Sequence, residues 1–295
     1  MFTEVLSDRG QGPALIYLPG IDGSGQLLFG TAARLEQRFR LLRLRYRLSA
    51  NPEHRTYHHL AASAVETVSL RGVDRMLLLA ESFGGAVALR AALDFPSSVA
   101  GLALVNAFPH FRHRARLGCS RIGARCTPAW MLSFGRRLFG PRLLFGGAGE
   151  ADAIAEFLGA PPRDATPGDP PGPWRSAPRA WRGAGPAWTM SEGYPARLQM
   201  IQRLDLRGEL GRVRQPVALF ASTRDRIVDS VRQAREMARL LPDAELEILE
   251  GRGHIVLPVA EIDWPARMER LAERSAVRGA EDVASSGNGK HHFRS

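Results

Sequence analysis

Residues 75–93 read Arg-Met-Leu-Leu-Leu-Ala-Glu-Ser-Phe-Gly-Gly-Ala-Val-Ala-Leu-Arg-Ala-Ala-Leu, and this stretch decides the fold. Met76 to Ala80 is an apolar run of strand length. From Ala86 onward, small and apolar residues recur at helical spacing. Between the two lies Ala80-Glu81-Ser82-Phe83-Gly84-Gly85. A strand that breaks through a sharp turn into a helix, with Ser at the tip, is a nucleophile elbow. The turn forces Ser82 into strained backbone geometry, so the positions two before and two after it must be small. They are Ala80 and Gly84. On its own the same pattern also suits a helix N-terminus capped by a serine.

Outward from the elbow the chain alternates. Ala14–Leu18 is a buried-strand candidate that runs into the Gly-rich turn Pro19-Gly20-Ile21-Asp22-Gly23-Ser24-Gly25. A helix over 27–38, a strand over 39–45, a helix over 56–71, the elbow and a strand over Val99–Val105 follow. A short edge strand over 2–6 precedes them. After a break, strands over 217–221 and 245–249 and helices over 230–241 and 265–278 complete the pattern. Such alternation predicts an α/β fold, a doubly wound and mostly parallel sheet with helices on both faces.

A neutral hydroxyl is a poor nucleophile and needs a base, an acid behind that base, and N–H donors for the developing oxyanion. His254, in Gly251-Arg252-Gly253-His254, follows the last strand and is the candidate base. The other histidines stand on a helix (His58, His59), at the edge of the insertion (His110, His113), in the tail (His291, His292) or beside a helix (His54). Asp225 follows the strand over 217–221, where an open α/β sheet builds its site, and is the candidate acid. Asp229 is the alternative acid, although it suits an N-cap for the helix that begins near Ser230. The oxyanion donors are expected to be the backbone N–H of Phe83, directly after the nucleophile, and that of Ile21 in the Gly-rich turn. Gly20 and Gly23 let that backbone come close. A phosphate-binding loop is the competing reading of the turn, but it lacks both the Gly-x-Gly-x-x-Gly register and a Gly-Lys-Ser/Thr end.

The order Ser82, Asp225, His254 resembles that of the α/β-hydrolase family. The resemblance covers residues 10–107 and 210–275. It implies a hydrolase-type sheet with a helical lid inserted in it. Within that superfamily, Leu18-Pro19-Gly20-Ile21-Asp22-Gly23-Ser24-Gly25 together with Glu81-Ser82-Phe83-Gly84-Gly85 is similar to a group of lipase-like hydrolases and plant phytyl ester synthases, which transfer fatty acyl groups. Two positions depart from the common pattern. Ala80 stands where Gly is usual, and Pro19 where many relatives carry His.

From residue 108 to 206 the alternation stops, and Trp130, Phe134, Leu138, Phe139 and Trp188 supply large apolar surface. We read 1–107 and 207–279 as the core domain, 108–206 as a lid over an apolar substrate pocket, and 280–295 as a disordered tail. At 295 residues the chain can bury one sizeable core. The formal charge of +10 comes almost wholly from arginine. These arginines are scattered and form no aromatic-interleaved stripe, so no nucleic-acid partner is expected, and peripheral contact with an anionic membrane surface stays open. Cys119 and Cys126 match no zinc spacing and read as free thiols. The N-terminus has no signal-peptide pattern and no stretch is long and apolar enough to span a membrane, which together favour a cytoplasmic protein. The expected function is that of a serine hydrolase acting on small carboxylic esters or thioesters, without metal or organic cofactor. An acyltransferase that passes the acyl group to an alcohol, and a non-catalytic binding module on the same fold, are the alternatives. Dehalogenase or epoxide-hydrolase chemistry would need Asp where Ser82 stands.

Overall fold

The computed structural model describes residues 1–111, 144–146 and 193–287. Among the described residues seven strands form one sheet: β1 (Phe2–Arg9), β2 (Ala14–Leu18), β3 (Arg40–Arg47), β4 (Met76–Glu81), β5 (Val99–Val105), β6 (Val217–Ser222) and β7 (Ala244–Leu249). Their order is β1-β3-β2-β4-β5-β6-β7, parallel throughout except for β1, which pairs antiparallel with β3. The helices are α1 (Gly30–Glu36), α2 (Tyr57–Ser69), α3 (Phe83–Asp94), α4 (Tyr194–Arg203), α5 (Ser230–Leu240) and α6 (Trp264–Gly287).

The strand sequences explain their places. β4 is buried along its whole length, as a central parallel strand covered on both faces must be. Alternate residues go to opposite faces. Ile16, Leu78, Ala80, Leu102 and Leu104 face the layer of α2, α3 and α5, whereas Leu15, Tyr17, Leu79, Ala103 and Phe220 face α1 and α6. Phe220 meets Trp264 edge-on at 5.2 Å on that second face. The outer strand β1 carries charge that blunts the edge. Asp8 pairs with Arg40 at 2.8 Å, and Glu4 with Arg45 at 2.6 Å.

The chain runs from β2 outward to β3, then crosses back to place β4 on the other side of β2. This reversal opens a crevice at the C-terminal ends of β2 and β4, which is where such sheets bind ligands. The Gly-rich turn after β2 and Ser82 after β4 both lie there.

Several boundaries differ from the sequence expectation: β1 runs to Arg9 rather than 6, β3 covers Arg40–Arg47 rather than 39–45, and two helices change more. α1 is shorter than 27–38, because residues 26–29 form a turn with Phe29 at φ 42°. α6 runs on to Gly287 rather than stopping at 278. Residues 280–287, expected to be unstructured, continue the helix. Ala280, Glu281, Asp282 and Ala284 carry no helix breaker before Gly287. Among the described residues no helix is long and apolar enough to cross a membrane. The insertion leaves and returns at one place, where Leu206 N donates to Pro109 O at 2.9 Å and His110 bridges Asp205. The aromatic residues expected to form a lid, together with His113, Cys119, Cys126, His291 and His292, lie outside the described residues.

Candidate active site

Ser82 sits between β4 and α3 at φ 52°, ψ −115°. For a non-glycine residue this backbone is strained, on the order of 1–3 kcal/mol. Three features hold it. Ser82 N donates to Val105 O at 2.9 Å, tying the turn to the end of β5. Gly84 leaves no room for a Cβ, which would fall on the carbonyl oxygens of Leu18 and Pro19. Gly85 lies against Ala107 in the same way. The small-residue spacing read from sequence is therefore a packing requirement. α3 must lie directly on the turn after β2.

The three residues expected to cooperate are brought together. Ser82 Oγ lies 3.0 Å from His254 Nε2, and His254 Nδ1 lies 2.7 Å from Asp225 Oδ2. Ser82 and His254 are each only 6% exposed, and the Asp225 carboxylate 1%. Burial pushes the Asp225 carboxyl up. The His254 charge and hydrogen bonds from His254, Ser230 and Val228 outweigh it and hold the carboxyl below its ordinary value. Burial pulls His254 down, but Asp225 and then Glu81 carry it above 6.5. The imidazole is thus more basic than a free histidine while kept from water.

Asp225 is gripped from three further directions. Its Oδ1 accepts from Ile227 N at 2.8 Å and Val228 N at 3.1 Å, and its Oδ2 accepts from Ser230 Oγ. Asp229, the alternative acid, occupies the N-cap position of α5 without a side-chain cap bond, and its carboxylate pairs with Arg232 at 2.6 Å in solvent. Asp225 rather than Asp229 faces the imidazole.

The loop carrying His254 is pinned at several points. Gly251 takes φ 72° so that the chain can turn back after β7. Arg224 N donates to Arg252 O at 2.9 Å and Ile255 N to Leu144 O at 2.9 Å. Gly253 is required because residues 144–146 of the insertion cross it, with Gly146 N 2.6 Å from where a Cβ would stand. Asn106, at φ 46°, supplies the remaining ties. Its Nδ2 donates to Ser222 Oγ (2.9 Å), Gly253 O (3.2 Å) and His254 O (2.8 Å), and its Oδ1 accepts from Ser222 N at 2.8 Å.

Phe83 directly follows Ser82, and the turn that holds Ile21 lies against it. Phe83 is the first residue of α3, so its N–H has no intrahelical acceptor. The turn holding Ile21 comes so close that a Cβ on Gly20 would stand 3.7 Å from Ser82 Cβ. Glu81, beside Ser82, is fully buried. Its Oε2 accepts from Tyr17 Oη at 3.1 Å, while Oε1 has no hydrogen-bond partner among the described residues. Burial raises its carboxyl to about 7. His110 is elsewhere, 3.0 Å from Glu236 at the root of the insertion, and His58 pairs with Asp94 on the surface.

Sequence reasoning missed Asn106, Ser230 and Arg197. A polar residue closing an apolar strand at the C-terminal sheet edge was the available signal for Asn106. Nothing local marks Arg197, which reaches the turn from α4.

Comparison with known proteins agrees with this architecture. The family model described as the alpha/beta hydrolase family matches residues 15–274. The curated relative "Putative carbamate hydrolase RutD" from Shigella flexneri serotype 5b is 25% identical over 252 residues, covering 82% of this chain and 84% of the relative. Among solved structures, an enol-lactonase from Burkholderia xenovorans LB400 superposes with a TM-score of 0.68 at 16% identity, covering 93% of this chain and 96% of that one. A hydrolase from Pseudomonas aeruginosa PA01 superposes with a TM-score of 0.66 at 19% identity, covering 92% of each chain. At these identities the solved structures speak to the fold alone.

Proposed function

The chain belongs to the alpha/beta hydrolase family, and from that premise we propose that it cleaves carboxylic esters or thioesters through an acyl-enzyme on Ser82. The observation that carries this reading is the continuous relay from Ser82 Oγ through His254 to Asp225, at 3.0 Å and 2.7 Å.

Ser82 Oγ attacks the acyl carbonyl while His254 Nε2 takes its proton. The carbonyl oxygen becomes an oxyanion, for which the N–H groups of Phe83 and Ile21 are the donors in this reading. Asp225 fixes the imidazole with Nδ1 protonated and stabilises the imidazolium. The tetrahedral adduct expels the alkoxide or thiolate, which leaves with the proton from Nε2. Water then enters, gives a proton to His254 and attacks the acyl-Ser82. Collapse of that second adduct frees the acid and returns the proton to Ser82 Oγ.

The apolar composition of the insertion supports an apolar acyl group, with 108–206 acting as a lid. Carbamates enter the substrate panel because of the name of the curated relative, and because their carbonyl would meet the same donors. An alcohol in place of water would make the same intermediate serve acyl transfer. The test is labelling with a fluorophosphonate probe, followed by hydrolysis of a panel of esters, thioesters and carbamates of graded chain length. We expect one labelled residue, Ser82, and loss of labelling and turnover in Ser82→Ala. Turnover unchanged by that substitution would sink the reading.

A further inference from the structure

The turn after β2 has its carbonyl oxygens tied down one by one. Gly20 O accepts from Gly23 N at 3.1 Å, and Gly23 O from Tyr46 N at 2.8 Å. The two in between are held by one side chain from α4. Arg197 Nε donates to Ile21 O at 2.6 Å, and Arg197 Nη2 to Asp22 O at 3.1 Å. Arg197 is 1% exposed, one of the largest wholly buried side chains in the protein. Its guanidinium fills a slot between two glycines. A Cβ on Gly23 would stand 3.0 Å from Cζ, and one on Gly193 2.8 Å from Nη1.

Charge gives this contact a second consequence. Asp22 is buried within the turn, its carboxylate accepting from Ser24 N at 2.8 Å. A carboxylate there opposes a negative charge growing on the substrate oxygen, and little water screens it. Burial lowers Arg197, and the opposite charge of Asp22 offsets part of that. The guanidinium thus sets a cation in the same turn as the carboxylate.

We propose that Arg197 is a positioning residue for the oxyanion hole, its planar fork fixing the Ile21–Asp22 and Asp22–Gly23 peptide units that directly follow the Ile21 N–H and its charge opposing that of Asp22. This rests on the acyl-enzyme reading above. A guanidinium suits the task because it donates along fixed directions to two acceptors at once, which an ammonium on a flexible stem cannot do. Because the benefit falls on the oxyanion rather than on bound ester, loss of Arg197 lowers kcat with little change in KM.

The test compares wild type, Arg197→Met and Arg197→Lys as full-length chains, using an ester substrate, a fluorophosphonate and a trifluoromethyl ketone whose adduct carries an oxyanion. Arg197→Met is expected to lower kcat about ten- to hundred-fold. KM should stay within about threefold. The affinity of the ketone should fall by the same factor as kcat/KM. Arg197→Lys should lie between the two, and carries the test if the Met variant does not fold. Folded variants with wild-type kcat and ketone affinity overturn the inference, as do variants that lose only thermal stability. Failure of wild-type Ser82 to label overturns the acyl-enzyme reading and this inference with it. Labelled wild type with indifferent variants overturns this inference alone.

Discussion

Asn106 Nδ2 donates to the carbonyl oxygen of His254 at 2.8 Å, so the end of β5 holds the backbone of the residue that stands over Ser82. The same side chain reaches Gly253 O and Ser222 and is 1% exposed. It spans β5, β6 and the loop after β7. Asparagine also tolerates the left-handed φ of 46° at this position.

Asn106→Ala removes the contacts of Nδ2 with three oxygens and the bond accepted from Ser222 N. The expected loss of stability is about 2–4 kcal/mol, measured by urea unfolding. Asn106→Asp keeps the acceptor for Ser222 N but turns a carboxylate toward two carbonyl oxygens. It should lower activity further than Ala does. Wild-type activity in both variants would mean that the His254 loop is held by other contacts.

The Asp225–His254 pair predicts opposite pH trends for stability and activity. The Asp225 carboxyl is lowered from 3.8, so its contribution to stability is present above 3.8 and lost as pH falls through the lower folded value. His254 is raised from 6.5, so its contribution is full below 6.5 and lost as pH rises through the higher folded value. The pair therefore stabilises most between 3.8 and 6.5. With His254 as the proposed base, activity would need it neutral, so the acid limb of kcat/KM should have its midpoint above 6.5. Asp225→Asn should move that midpoint down and cut kcat by about 10³–10⁴. Ser230→Ala, which removes one donor from the carboxylate, should cost about tenfold or less. A pH–rate profile unmoved by Asp225→Asn would show that another group sets it.

The sheet was legible because its strands are short apolar runs bounded by turn residues. Ala14–Leu18 and Val99–Val105 appear in the structure with the bounds read from sequence. The elbow was legible because its strain admits few residues, and Gly84 records the contact with Leu18 and Pro19. Ser82, Asp225 and His254 could be placed together because each follows a strand at its C-terminal end, on one edge of the sheet. The contacts that orient them could not be read. Asn106 lies 148 residues from His254 in sequence and Arg197 lies 176 from Ile21, and no local pattern predicts a hydrogen bond over such separations. The extent of α6 was misjudged for a different reason. The polar composition of 280–287 suggests a lack of structure, but Ala and Glu propagate a helix without any apolar face.

Gly84→Ala tests the packing beneath the elbow. The added methyl would lie 2.6 Å from Pro19 O and closer still to Leu18 O, both backbone atoms that cannot swing aside. Either the elbow or the oxyanion turn must shift. We expect a loss of about 2–4 kcal/mol and of most activity. Gly208→Ala, with nothing within 4 Å of the added methyl, is the control and should stay within about 0.5 kcal/mol of wild type. Equal behaviour of the two variants would refute the close approach of α3 to that turn.

Glu81 makes the sharpest pH prediction. Its carboxyl is raised from 4.5 to about 7, chiefly by burial, with Tyr17, Asp22, His254 and Asp225 the groups facing it. The neutral acid is favoured in the fold, so the sign is opposite to that of Asp225. Its contribution is full below 4.5 and is lost between 4.5 and about 7, where the unfolded chain has released the proton and the folded chain has not. The slope over that interval is about 1.4 kcal/mol per pH unit, and the total is on the order of 3 kcal/mol. Glu81→Gln removes the titration. Relative to wild type it should gain stability progressively from 4.5 to about 7 and then hold a constant margin at higher pH. Ionised Glu81 also favours the proton on His254, so the substitution should lower the midpoint of the acid limb. Urea unfolding at half-unit pH steps reads the first effect, and kcat/KM over the same steps reads the second. If the stability difference between the two proteins does not change with pH, Glu81 does not carry a proton into the folded state.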